Sequence, residues 1–157
     1  MRYQIRQRVF SLGGAFDITD DLGNAVYRVQ GELLSLGNSL TLYDAQNERL
    51  AHIQQRLLTW TPTYDITRGG MPALTVHKQA FSWTPHFDIE GPAGMYTMDG
   101  DWSDWNFQID SMGQTVALIS RQYALFSECY GIEIAEGADD PTVLCLAIVM
   151  DEIINAQ

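Results

Sequence analysis

An aromatic-Asp-Ile tripeptide recurs along this chain as Phe16-Asp17-Ile18, Tyr64-Asp65-Ile66 and Phe87-Asp88-Ile89, with a looser copy at Phe107-Gln108-Ile109-Asp110. A glycine turn follows each within a few residues. Self-similarity at a spacing of roughly twenty to twenty-four residues marks a repeated supersecondary unit, and so constrains the whole architecture. Here that unit is a β-hairpin. Successive side chains of a strand point to opposite faces, so the aromatic and the isoleucine share one face and the aspartate takes the other. Phe16/Ile18, Tyr64/Ile66, Phe87/Ile89, Phe107/Ile109 and Ile132/Ile134 are therefore predicted to face the interior. Asp17, Asp65, Asp88 and Glu133 are predicted to face water, as solubilising residues and not as catalysts.

Turn chemistry places the remaining strands. The first segment alternates Tyr3, Ile5, Gln7 and Val9 with Arg2, Gln4, Arg6 and Arg8, which gives a half-buried strand one largely apolar and one basic face. Hairpins follow at 15–19 with 25–30, at 40–44 with 49–56, at 63–67 with 72–78, at 86–89 with 95–98, and at 105–110 with 115–121. Each pair is separated by Gly, Pro, Asn or Asp, the residues that reverse a chain. A last strand at 130–135 ends at Glu136-Gly137, for about a dozen strands in all.

The tail breaks the pattern. Ala138-Asp139-Asp140-Pro141 supplies an acidic N-cap and a proline in the first turn, and 142–155 then reads as a helix. Residues 143–150 leave no polar face for two turns, which describes a helix buried on all sides. About eight strands close a barrel that its own side chains can fill, so a closed barrel of about twelve needs something further inside it. The helix supplies it: fourteen residues at about 1.5 Å each span roughly 21 Å, the length of a six-residue strand. The predicted fold is all-β with one helix, a closed antiparallel barrel around a buried C-terminal hydrophobic helix, spanning 1–157 as a single domain. A two-sheet sandwich with the helix at one open end is the alternative.

Charge and composition exclude several function classes. The net charge of −11, with nine basic residues of which Lys78 is the one lysine, argues against binding nucleic acid. Cys129 and Cys145 have no ligand-like spacing to His52, His77 or His86 and read as reduced packing residues. No basic and then apolar leader opens the chain, and the longest apolar run is under half of the roughly 20 residues that cross a bilayer. The expectation is a cytoplasmic protein without a transmembrane segment; no signal of oligomeric state is present.

Metal and catalytic motifs are equally sparse. Asp99-Gly100-Asp101-Trp102-Ser103-Asp104 has the look of a carboxylate loop, but counting from Asp99 an EF-hand would need Gly at 104 and Glu at 110, where Asp stands at both. It reads as a solvated turn. Ser127-Glu128-Cys129 lies in no nucleophile elbow, and no phosphate loop or dinucleotide fingerprint occurs. The expectation is no enzyme, no cofactor and no metal.

Two groups remain as candidate binding residues. Arg2, Arg6 and Arg8 give the first eight residues three positive charges and no acid, a possible site for an anionic lipid headgroup. Thr59-Trp60-Thr61-Pro62 and Phe81-Ser82-Trp83-Thr84-Pro85 share Trp-Thr-Pro, lie one repeat apart, 23 residues, and fall in predicted loops. Tryptophan is enriched at interaction hot spots, so Trp60 and Trp83 either cap the barrel end by packing on neighbouring hairpins or meet a protein partner or a membrane interface.

Three blocks carry a resemblance to a known family: the opening Tyr3-Gln4-Ile5-Arg6-Gln7-Arg8-Val9-Phe10-Ser11-Leu12-Gly13-Gly14; Phe16-Asp17-Ile18-Thr19-Asp20 with Gly23-Asn24-Ala25-Val26-Tyr27-Arg28-Val29; and Tyr130-Gly131-Ile132-Glu133-Ile134-Ala135-Glu136-Gly137 running into Asp139-Asp140. With them the chain resembles the LURP-one-related family of the Tubby C-terminal-like superfamily over essentially its whole length. The resemblance implies a barrel of about twelve strands around a central helix. Tubby domains bind phosphoinositides and the related phospholipid scramblases act at membranes, while most LURP-one-related members have no established activity. The implied function is a non-enzymatic binding or adaptor module, with phospholipid binding as the alternative.

Overall fold

The computed structural model describes residues 1–6, 14–32, 35–101, 103, 105–125 and 128–155. Its strands are β1 (Arg2–Arg6), β2 (Ala15–Asp20), β3 (Ala25–Gly31), β4 (Ser39–Asp44), β5 (Arg49–Gln55), β6 (Thr63–Arg68), β7 (Met71–Lys78), β8 (His86–Gly91), β9 (Gly94–Asp101), β10 (Asn106–Ser111), β11 (Gln114–Ser120) and β12 (Cys129–Ile134). One helix, α1 (Asp140–Asn155), follows them. Every strand pairs antiparallel with its sequence neighbour, and β1 pairs with both β2 and β12, so the meander closes on itself. The barrel is realised and the sandwich is not, because Tyr3↔Ile132 and Ile5↔Tyr130 leave neither terminal strand with an open edge.

The repeat performs its predicted role. Tyr64 and Ile66 lie opposite Val76 and Leu74, and Phe87 and Ile89 opposite Met98 and Tyr96, with both aromatics and both isoleucines buried. In three hairpins the repeat isoleucine marks a break in register: the pairing shifts between Ile18 and Thr19, Ile66 and Thr67, and Ile109 and Asp110. A fourth shift falls between Leu42 and Tyr43. Such bulges bend a strand and sharpen its twist, which is what closing a sheet into a barrel requires.

Core residues come from all twelve strands and join the helix in one cluster. Val143 through Met150 are each no more than 2 % exposed, so the helix has no solvent face over two turns. The interior that twelve strands leave open is filled by these side chains. Asp139 caps the helix: its carbonyl accepts the Val143 N–H at 3.1 Å, and its carboxylate accepts from the Thr142 hydroxyl and from Arg68. Arg68 also donates to Thr142 Oγ1 at 2.8 Å, and the Tyr3 hydroxyl donates to Asp140. At the other end of the helix, Asn38 Nδ2 donates to Glu152 Oε2 at 3.0 Å and to the Tyr64 hydroxyl at 3.1 Å.

Some local expectations change. Asp99, Gly100 and Asp101 belong to β9 and not to a turn, because Asp99 pairs across to His86 on one side and Gln108 on the other. Gln4 does not face solvent with the arginines of β1. It is 1 % exposed, covered by the connection after β11, whose Tyr123 carbonyl accepts from its amide and whose Leu125 N–H donates to it, both at 2.9 Å. Gly131, beside Gln4, lets this connection approach: a Cβ there would stand 2.4 Å from Tyr123 Cβ.

The alternating meander gives the barrel two unlike ends. At the hairpin end β2–β3, β4–β5, β6–β7, β8–β9 and β10–β11 are joined by short turns, with Gly23, Gly70 and Gly113 at φ of 84°, 76° and 78°. The loop end carries the longer connections 32–38, 56–62 and 79–85 and the C-terminus of α1.

Candidate functional site

The arginines of β1 point outward but do not gather. Arg2 lies at the hairpin end, 3.2 Å from Glu133, with its guanidinium 4.5 Å from the centre of the Tyr123 ring. Arg6 stands at the loop end of the same strand, about 13 Å away at about 3.3 Å per residue. It is exposed and forms no ion pair with any described residue. It borders a shallow recess with Phe16, Asp17 and Cys129. Arg8 lies outside the described residues.

The tryptophans of the loop end present a different picture. Trp60 and Trp83 are each 104 % exposed, so neither packs across the barrel end. Backbone and side-chain hydrogen bonds hold the first loop in place around Trp60. Thr59 and Thr63 hydroxyls both donate to the Thr61 carbonyl, at 2.7 and 3.0 Å. Arg56 N–H reaches the Thr63 carbonyl at 2.9 Å, and Lys78 N–H reaches the Pro62 carbonyl at 3.2 Å. That last bond ties the 56–62 connection to the strand leading into 79–85. Pro62 in turn restricts Thr61 to extended backbone.

Phe81, from the second tryptophan segment, joins the tryptophans together with Leu36, Leu57 and Leu58, which the sequence does not single out. Leu58 and Phe81 are 106 % and 100 % exposed, and Leu36 and Leu57 are also exposed. Leu57 lies over Gly37, where an added Cβ would be 3.1 Å from its Cδ2, so the 32–38 connection adjoins the 56–62 one. Leu58 adopts φ 59°, a left-handed backbone that a leucine rarely takes. Holding a bulky residue strained and exposed costs free energy twice over, a pattern that concentrates at functional positions. A signal for these residues existed in the sequence: 33–43, 57–64 and 79–87 contain no Asp, Glu, Lys or Arg. Trp105 is buried against Tyr130 at 5.0 Å between ring centres, and Trp102 lies outside the described residues.

The barrel's outer wall carries the remaining polar features. His86 Nε2 lies 3.0 Å from Asp88 Oδ1, and Nδ1 contacts Asp99. Burial pulls the imidazole pKa down, but the two carboxylates outweigh it and hold it above the ordinary value. The group is an ion-paired cross-strand contact beside an open groove lined by Asp101, Asn106, Gln108 and Ser120. Arg56 forks onto Asp65 at 2.7 and 2.9 Å, and Thr75 donates to the same carboxylate. Burial pushes both thiols up, Cys145 to about 12, which keeps each protonated at neutral pH. Among the described residues no group of three His, Cys, Asp or Glu side chains is placed to hold a metal ion.

Comparison with known proteins agrees with the fold. The sequence profile described as LURP-one-related matches residues 1–151. The Bacillus subtilis (strain 168) protein YxjI, itself described as uncharacterized, is 32% identical over 152 residues, covering 96% of this chain and 91% of its own. An X-ray structure of an Arabidopsis thaliana protein superposes with a TM-score of 0.67 at 15% identity, covering 98% of this chain and 91% of that one. At that identity the likeness speaks to the fold alone.

Proposed function

The chain belongs to the LURP-one-related family, and we propose that it acts as a non-enzymatic binding module whose recognition surface is the loop end of the barrel. The observation that carries this reading is the group of fully exposed Leu58, Trp60, Phe81 and Trp83 on two adjacent connections. Single exposed apolar residues are ordinary, but four large ones with no intramolecular neighbours on one end of a molecule mark a contact surface. The filled interior supports a binding role over catalysis, since the helix occupies the volume in which other large barrels hold a ligand.

A photocrosslinking amino acid carrying benzophenone tests this directly in cells. Installed in place of Trp83 it is expected to give discrete adducts, whereas installed in place of Met112, 93 % exposed at the hairpin end, it is expected to give none. Adducts of equal yield from both positions, or no protein or lipid adduct from either, would sink the proposal. A site for anionic headgroups on Arg2, Arg6 and Arg8 is the second reading, favoured by Arg6, which is exposed and makes no ion pair among the described residues. Its mark would be an association with anionic vesicles that disappears when all three are changed to Ala.

A further inference from the structure

We infer that the loop end seats on a zwitterionic phospholipid surface, with Leu58, Trp60, Phe81 and Trp83 inserted among the headgroups; this rests on the reading of that end as a recognition surface. Three observations converge on this occupant. The first is projection. Side chains exposed to 100 % or more stand clear of the body and present no packed, preformed relief, whereas protein interfaces meet through cores packed as tightly as protein interiors. A fluid interface needs no such relief, because lipids rearrange around whatever enters. Tryptophan suits the headgroup zone in particular, where an apolar ring can be buried and its N–H stays hydrated.

The second observation is neutrality. The stretches 33–43, 57–64 and 79–87 hold no charged residue, with Glu32, Arg56 and Lys78 at their roots, although the chain carries nine cationic and twenty acidic residues. Charges at these tips would resist entry into the interface, and phosphate-seeking lysines or arginines would be expected if an anionic headgroup were the target. The cations that flank these stretches are Arg56, which is paired with Asp65, and Lys78, which ends β7 at the root of the 79–85 connection.

The third observation is polarity of the whole molecule. Nine of the twenty acidic residues, Asp20, Asp21, Asp44, Glu48, Glu90, Asp110, Glu136, Asp139 and Asp140, lie at or beside the hairpin end, opposite the apolar tips, against Glu32, Asp101, Glu128 and Glu152 at the loop end. A net charge of −11 makes an anionic surface repulsive, so the lipid chemistry that fits is electrically neutral, with the acidic end held toward water.

Vesicles of pure phosphatidylcholine, some containing brominated acyl chains, test the inference with the intact protein. Co-flotation with the vesicles and bromine quenching of tryptophan fluorescence are expected, both unchanged by raising salt to about 0.5 M, where exposed charges are screened. Trp60→Ala with Trp83→Ala should weaken partitioning about a hundredfold, as when two large apolar side chains leave the interface. The doubly substituted protein should keep the wild-type circular dichroism, so loss of binding would not be loss of fold. Association that requires anionic lipid and vanishes in salt would overturn the inference in favour of headgroup charge. Protein adducts from the benzophenone at position 83, with no flotation on phosphatidylcholine, would overturn the lipid assignment and leave the binding surface standing. Neither flotation nor adducts would overturn both.

Discussion

The two ends of the barrel are built from the same meander and face opposite demands. At the hairpin end, tight glycine turns, an acidic rim and the cap of the helix are locked together: Arg68 holds Asp139 and Thr142, and Tyr3 holds Asp140. The exposed apolar residues there, Leu22, Met71, Met95 and Met112, come one to a hairpin. At the loop end the polar ties run beneath the surface, through Asn38 to Glu152 and Tyr64, and the tips above are free. The contrast shows that one end is spent on closing the fold, which leaves the other available for contact.

The largest test concerns the element that both ends share. Leu146→Asp places an unpaired charge in a fully buried helix and should cost at least about 4 kcal/mol, leaving little folded protein. Soluble yield and far-UV circular dichroism measure it; a wild-type spectrum would mean that the helix is not enclosed. Next comes the locked end. Asp139→Ala removes the cap and Arg68's partner, and should lower stability by about 1–2 kcal/mol in urea titration. Burial pushes the Asp139 carboxyl pKa up, but Thr142 and Arg68 outweigh it and hold it below its ordinary value of 3.8. A carboxyl with a depressed folded pKa stabilises above its unfolded value and loses that as pH falls through the folded one. The gap between wild type and variant should therefore close on acidification below that ordinary value.

A smaller effect belongs to the outer wall, between the two ends. His86 has a raised folded pKa, so its ion pairs stabilise fully below the ordinary value of 6.5 and are lost as pH rises through the folded one. Stability of wild type should thus approach that of His86→Gln as pH climbs above neutrality, and an NMR titration of the ring should place its midpoint above 6.5. The smallest expected change is at the free end. Trp60→Ala and Trp83→Ala should each alter unfolding free energy by less than about 0.5 kcal/mol, because neither ring has a packing partner to lose. A loss of 2 kcal/mol in either would show that the tips are structural and would erase the contrast between the ends.

Much of this was legible in the chain. Period-two alternation fixed the inward faces of Tyr64/Ile66 and Phe87/Ile89, because strand geometry allows no other arrangement once one face is buried. Cap, proline and an unbroken apolar run marked the helix two residues short of its start. The arginines were harder to read. Alternation assigned Arg2, Gln4 and Arg6 to one exposed face, but the connection carrying Tyr123 crosses that face and buries Gln4. Contacts between segments more than a hundred residues apart leave no local signature. The tryptophans show the reverse: two alternatives for Trp60 and Trp83 stood open, and their exposure decides between packing and projection.

Sequence by itself determined the hairpins, the buried helix, the acidic balance and the family, since each rests on local periodicity, composition or residue-by-residue likeness. Tertiary structure decided that the sheet closes through β1 and β12, that Arg2 and Arg6 stand apart, and that Leu58, Trp60, Phe81 and Trp83 share one end. The physical reason is register: closure and the gathering of distant loops depend on how far each strand slides against the next, and only the assembled barrel fixes that.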